Sequence, residues 1–378
     1  MGLYHTEDQA MLKDSVAPFL AENGSIKQLR ALRDDKDPVG FARDLWSQFA
    51  EMGLNGILIP EAEGGLGLGH VEAGIVLEEI GRNLTASPFL STAVAAVEAL
   101  KAASADMRGQ WFPKIAAGEA VIGLALDEGK KHNPAATALK AERSGNGFKL
   151  TGAKTFVVHG HVADLLLVSA RTAGAAGEES GITLFAVPRD AAGLTTEADR
   201  LVDSSLSARV TLDGVQVDAD AVIGEVDAGW VPLTALLNAG RLGASAELVG
   251  VGTGAMDMTF DYLKQRKQFG KVIGEFQALQ HRAAHLYGEM EGARSIVLKA
   301  QQMLDDGDPR GEMFVSAAKA KAAKSTNLAV REGVQMHGGM GMTDAYDIGL
   351  YMKRDRALNE AFGDLYFHAD KLAKMNGY

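Results

Sequence analysis

The 378-residue chain contains no cysteine. That single absence excludes disulfides, thiolate metal sites, iron–sulfur clusters and cysteine nucleophiles, so any chemistry must come from other side chains or a cofactor. Nor does the sequence contain an apolar run approaching the ~20 residues of a membrane span. Its start, Met1 to Asp8, shows no basic region leading into an apolar segment, and a soluble, cytoplasmic protein is expected. Positive charge is in deficit: 38 Lys+Arg against 49 Asp+Glu leave a net charge of −11. A uniformly acidic chain binds phosphate backbones poorly, so nucleic acid is not expected as the principal partner. What is present, 47% apolar and 23% charged residues, is the composition of a packed globular protein.

The texture changes twice along the chain. From Thr6 to about Glu119 apolar residues such as Met11, Leu12, Val16, Phe19 and Leu20 recur at three- and four-residue steps, which predicts helix. Further helical segments are expected at about 39–53, 70–83, 88–103 and 106–118. From Val121 short β-branched or alternating runs take over: 121–126, 148–150, 156–158, 165–169, 182–187 and 207–212. Gly145-Asn146-Gly147 between two runs reads as a hairpin turn. Beyond Gly224 the pattern predicts four long amphipathic helices at about 229–265, 276–306, 311–337 and 346–375, the makings of a bundle. The expected fold is mostly α with a central β domain: an N-terminal helical domain over 1–119, a middle antiparallel β domain over 120–225 and a C-terminal four-helix bundle over 226–378.

Several glycine and histidine groupings fail as motifs. Gly65-Leu66-Gly67-Leu68-Gly69 and Gly250-Val251-Gly252-Thr253-Gly254 lack the spacing of a dinucleotide fingerprint, and the second sits in a helical stretch where small residues allow close packing. His337-Gly338-Gly339 has no G-x-S-x-G elbow to make it an esterase loop. His159 with His161, and His281 with His285, lack a third ligand, so no metal is expected. More is carried by Arg266-Lys267-Gln268-Phe269-Gly270, which ends one long helix, and Phe276-Gln277, which opens the next. An arginine fork, loop amides and a helix N-terminus together suit a pyrophosphate. Gln335 to Gly341 ends a third helix with glycines that let the backbone approach a ligand closely.

Along nearly its whole length the sequence resembles the acyl-CoA dehydrogenase family. The resemblance rests on Pro60-Glu61 with Gly64 to Gly67, Glu78 to Arg82, Gly152 to Val158, Val210 to Gly224 before Gly229-Trp230, Arg266 to Gly270, Gln335 to Gly341 and Arg354-Asp355. It implies FAD held between domains and across a subunit interface, in a dimer or a dimer of dimers. It also implies an acyl-CoA substrate that loses its α-proton to a carboxylate and its β-hydrogen as hydride to flavin N5, with an electron-transfer flavoprotein as acceptor. On the same resemblance Arg266, Gln268 and Phe269 would contact the FAD of a neighbouring subunit, with Phe276 and Gln277 close by. Gln335, Gly338 and Gly339 would serve its adenine and pyrophosphate end. Phe156, Val157 and Val158 would run alongside the isoalloxazine. Asn238 and Arg241 match positions near the acyl-CoA, although Arg241 serves equally well as an ion-pair residue of the bundle.

The departures are sharper than the agreements. The family's glutamate base would stand at residue 363 or, in its second placement, at residue 240; this sequence has Gly363 and Gly240. Asp364 is the candidate base, one residue late and one methylene short, and an aspartate binding local amides is the alternative. Glu247 lies two turns beyond Gly240, about 10 Å along the axis at ~1.5 Å per residue. Leu126 to Asn133 lacks the hydroxyl and the small polar turn expected near flavin and substrate, and Val158 replaces a threonine. Three readings follow: a dehydrogenase with an unusual base, the base-lacking partner in a heteromeric dehydrogenase, or a scaffold without flavin. The retained Arg266 and Gln335 motifs speak against the third.

Overall fold

The computed structural model describes residues 2–378. Thr6 starts the first helix with a reciprocal cap: its hydroxyl accepts from the Gln9 N–H, and the Gln9 side chain accepts from the Thr6 N–H, leaving two fewer orphan donors at that end. The first third holds α1 (Glu7–Asn23), α2 (Ile26–Asp34), α3 (Arg43–Glu51) and α4 (His70–Asn83). A π-helical stretch, Leu90–Ala96, then runs into α5 (Val97–Leu100), followed by α6 (Ala105–Ala116). The middle third supplies β1 (Ile122–Ala125), β2 (Lys140–Ser144), β3 (Gly147–Val158), β4 (Leu165–Arg171), β5 (Ile182–Pro188), β6 (Leu194–Arg200), β7 (Leu206–Val217) and β8 (Val222–Ile223). The rest comprises α7 (Trp230–Gln265), a small hairpin of β9 (Lys267–Gln268) and β10 (Lys271–Val272), and then α8 (Gln277–Asp305), α9 (Gly311–His337), α10 (Ile348–Glu360) and α11 (Leu365–Met375).

The chain divides into two compact units. One comprises Leu32–Gly69 and Ser87–Gly240. Its sheet runs β6-β7-β3-β2-β4-β5-β8, with β1 beside β4. Pairing is mostly antiparallel; β1 lies parallel to β4, and β2 meets β4 through one parallel pair, Lys140 with Arg171. The β2–β3 hairpin turns at 145–146, as expected. The runs expected separately at 148–150 and 156–158 form one strand, β3, interrupted by a bulge between Lys154 and Val157. Strand β6 escapes sequence reading because Leu194-Thr195-Thr196-Glu197-Ala198-Asp199-Arg200 is an edge strand, largely solvated and therefore polar.

The other unit comprises Met1–Ala31, His70–Ala86 and Arg241–Tyr378. Here α4 packs on α1 and α8, α8 on α9, and α9 on α10 and α11. Two expectations need correction. Helix α7 is not amphipathic along its length: every residue from 236 to 256 is buried, so it is a core helix with an apolar perimeter. Its glycines serve close packing, since a Cβ at Gly250 would stand 1.9 Å from the Glu78 carbonyl oxygen. The helix expected over 346–375 is two helices. Ala361 turns extended, Phe362 and Gly363 take φ of +57° and +105°, and Asp364 caps a new start. Among the described residues no helix is long and apolar enough to cross a membrane.

Candidate functional site

Helix α7 ends at Gln265, and the chain reverses in the β9–β10 hairpin, where Lys271 pairs with Gln268. Phe269 at the tip adopts φ +52° and is 92% exposed. Lys264, Arg266, Lys267 and Lys271 fall within eight residues and gather positive charge on an acidic chain. The Lys271 ammonium sits 4.4 Å from the centroid of the Phe276 ring, which itself meets Phe269 edge-on at 6.3 Å. Gln277 begins α8, exposed. The hairpin thus presents aromatic surface, cations and the N-terminus of a 29-residue helix together.

The end of α9 lies next to it. The His337 ring stacks on Tyr262 of α7 at 4.4 Å and on Tyr346 at 4.8 Å, tying the C-terminal ends of α7 and α9 together. Gln335 is exposed in the last turn. Gly338 follows with φ +61°, and nothing lies within 4 Å of where a Cβ would sit on Gly338 or Gly339. That is open room against main-chain amides. His337 Nδ1 bonds to the Gly333 carbonyl at 2.7 Å, while Nε2 is buried without a partner. Burial also holds the His337 pKa below the usual imidazole value, opposed only by the Gly333 bond. An open glycine cradle, an orphaned nitrogen and a cationic hairpin fit the diphosphate and adenosine of a dinucleotide.

In the β unit, the bulge in β3 leaves Phe156 at φ +54°, with Phe156 and Val158 exposed and Val157 buried. The loop at 126–133 is stitched to this strand. The Thr155 N–H donates to the Asp127 carbonyl at 2.8 Å, and its hydroxyl donates to the Gly129 carbonyl at 3.2 Å. The Asp127 carboxylate holds His132 Nδ1 at 2.9 Å and the Asn133 N–H at 3.2 Å. Glu128 accepts from the Ala138 and Leu139 amides and from Lys154 Nζ at 2.8 Å. Fully buried Lys154 also donates to the Leu126 carbonyl and to Ser169 Oγ, and burial pulls its pKa down to about 8. The acids standing where a small polar turn was expected are therefore spent on nearby backbone amides, on His132 and on one buried lysine.

The third element is the break between α10 and α11, which carries Gly363. Three side chains hold it. Buried Arg241 donates through Nε to the Phe362 carbonyl at 3.4 Å and lies over the Phe367 ring. His368 Nε2 bonds to the same carbonyl at 3.1 Å. Lys319, fully buried on α9, donates to the carbonyls of Leu358, Asn359 and Gly363 at 3.0, 3.2 and 3.0 Å, which satisfies acceptors at the end of α10. Sequence reading missed Lys319 altogether; its one signal is a lysine at a position flanked three and four residues away by buried Val315, Ser316, Ala322 and Ala323.

The carboxylates near this break have partners. Asp364 caps α11, its Oδ1 accepting from the Phe367 N–H at 2.8 Å. Glu247 pairs with Arg354 Nε at 2.8 Å. Asp355 takes Asn327 at 2.9 Å and Asn359 at 2.6 Å, and burial pushes its pKa up to about 6. Asn238 and Gly240 lie on α7 and are buried. At Gly363, besides φ +105°, a Cβ would stand 2.5 Å from Phe367 Cδ1 and 3.0 Å from His368 Nε2.

Burial pulls the Lys319 pKa down to about 7, against about 10.4 in an unfolded chain. Between those values the folded chain binds fewer protons than the unfolded one, so stability from this group rises with pH across that window. Replacing it by Lys319→Met is therefore expected to cost more at pH 9 than at pH 6.5, by roughly 2 kcal/mol at ~1.4 kcal/mol per pKa unit. Urea midpoints of both proteins at the two pH values test this; a pH-independent difference defeats it.

Models of the acyl-CoA dehydrogenase N-terminal, middle and C-terminal domains match residues 6–119, 127–215 and 227–375. The acyl-CoA dehydrogenase FadE12 of Mycobacterium tuberculosis is 31% identical over 359 residues, 93% of this chain and 91% of that protein. Among solved structures, the Tcur3481-Tcur3483 steroid ACAD superposes with a TM-score of 0.88 at 29% identity, covering 98% of each chain. The ChsE4-ChsE5 complex from Mycobacterium tuberculosis gives 0.89 at 27% identity, covering 100% of each.

Proposed function

The chain belongs to the acyl-CoA dehydrogenase family, and from that premise we propose that it serves the α,β-dehydrogenation of an acyl-CoA thioester as the subunit that brings flavin contacts but no base. Bound FAD supplies the hydride acceptor; position and polarity are the protein's part. Arg266 and the backbone at Gly338 and Gly339 take the diphosphate, Gln335 the adenine end, and Gln268, Phe269, Phe276 and Gln277 the flank facing a neighbouring subunit. Phe156 and Val158 line the ring system, with Val157 anchoring the strand beneath and main-chain N–H groups as donors. An acyl-CoA α-proton is only weakly acidic, so its removal needs a hydrogen-bonded thioester oxygen and a carboxylate in reach.

One observation carries the assignment of that carboxylate elsewhere: Gly363 has φ +105°, and a Cβ there would stand 2.5 Å from Phe367 Cδ1 and 3.0 Å from His368 Nε2, so a side chain at this position must strain the backbone and displace both rings. The two relatives above whose names pair two components, the ChsE4-ChsE5 complex and the Tcur3481-Tcur3483 steroid ACAD, support a homologous companion as its source. A second reading keeps Asp364 as base, favoured by its place next to Gly363, and requires it to leave the α11 cap. An electron-transfer flavoprotein is the proposed electron acceptor. Flavin absorbance on titrating FAD into the chain, alone and with a companion, tests the whole reading. Arg266→Ala is expected to weaken uptake about 10- to 100-fold by removing a charge-assisted contact; uptake untouched by this change removes the hairpin from the site.

A further inference from the structure

The loop from Gly338 to Asp347 has little apolar burial to hold it. Met340 and Met342 are exposed, and Gly341 is its one buried residue in the first turn. The rings of His337, just before the loop, and Tyr346, close to its far end, pack with Tyr262. At its far end it is gripped from a distant part of the chain. Arg30 of α2 donates through Nε to Asp347 Oδ1 at 2.7 Å and through Nη2 to the Asp344 carbonyl at 2.8 Å. The same Nη2 lies 2.6 Å from Asp347 Oδ1, and Nη1 lies 3.5 Å from the Asp344 carboxylate. The Arg30 side chain is 24% exposed, against 36% for Asp347 and 64% for Asp344, so the pairing is partly solvated and its contribution lies in geometry more than in charge. They span 314 and 317 residues, and the planar guanidinium fork fixes direction as well as distance.

We propose that Arg30 is a positioning residue for the nucleotide site: by clamping Asp344 and Asp347 it holds the 338–347 loop in the shape that offers the Gly338 and Gly339 backbone to a diphosphate. The proposal rests on the flavoprotein reading. It makes α2, more than three hundred residues away in sequence, a determinant of cofactor affinity. A loop left to order itself on binding loses affinity through the entropy of that ordering.

The test compares wild type with Arg30→Gln, Arg30→Lys and Asp347→Asn, reading FAD affinity by flavin fluorescence and amide hydrogen exchange over residues 338–347 in the cofactor-free protein. Arg30→Gln is expected to weaken FAD binding about tenfold and to speed exchange in this loop about tenfold, leaving the β unit unchanged. Arg30→Lys, which keeps the charge but loses the fork, should fall between. Arg30→Gln and Asp347→Asn together should do no more than Arg30→Gln alone, a non-additivity that general destabilisation does not produce. Wild-type affinity in Arg30→Gln overturns the proposal whatever exchange shows. If wild type takes up no FAD with or without a companion, the flavoprotein reading falls; faster loop exchange in Arg30→Gln then reduces the clamp to a structural role and overturns the proposal separately.

Discussion

Mixing the purified chain with a homologous subunit that carries a glutamate at either family position is expected to raise acyl-CoA-dependent flavin bleaching by about 10²- to 10⁴-fold over this chain alone. That is the range that positioned acid–base catalysis contributes. The expectation follows from how the local carboxylates are engaged. Asp364 accepts the Phe367 N–H, Glu247 is held by Arg354, and Asp355 is held by two asparagines. The decisive control is Asp364→Asn. Asparagine caps a helix about as well as aspartate, so the fold survives, whereas an amide cannot take the proton. Activity of the mixture unchanged by Asp364→Asn supports a base from the companion. Full activity of the isolated chain, lost on this substitution, hands the role to Asp364. Asp364→Ala, which removes the cap, should cost about 1 kcal/mol in stability regardless of catalysis.

Gly363→Glu, which places there the residue that the resemblance implies, is expected to destabilise the chain by about 2–6 kcal/mol and to yield no active enzyme on its own. Left-handed backbone costs a β-carbon roughly 1–3 kcal/mol, and overpacking against Phe367 adds about 1–3 more. The three grips on the loop, from Lys319, Arg241 and His368, fix the carbonyls of residues 362 and 363, so the loop cannot slide to make room without breaking them. Gly363→Ala should show the same sign with a smaller fall. Chemical denaturation with an activity assay measures both effects; a stable Gly363→Glu chain that dehydrogenates acyl-CoA alone would mean that the loop is more pliable than its packing indicates.

Much of the molecule was legible because the responsible forces are local. Apolar periodicity placed α4 at its observed limits and α7, α8 and α9 within one or two residues of theirs, and a glycine-asparagine-glycine turn marked the β2–β3 hairpin. Misses came where another force outweighed the local pattern. The 346–375 segment keeps helical spacing throughout, yet a positive-φ pair and a capping aspartate break it in two. Neither signal stands out when a helix can tolerate each residue singly. Strand β6 is polar because it is an edge, and an edge is a property of sheet order.

Residue types by themselves determined that this chain lacks thiol chemistry and carries the motifs of the acyl-CoA dehydrogenase family, since composition and motif do not depend on packing. Only the tertiary structure decided what surrounds Gly363. Whether residue 363 is a vacancy that a side chain could fill, or a place already taken by Phe367 and His368 and held by Lys319 from another helix, depends on atoms brought together across dozens of residues. So does the grip of Arg30 on a loop more than three hundred residues away. Steric exclusion and hydrogen bonding act through space, and the linear order of the chain does not record which distant groups will meet.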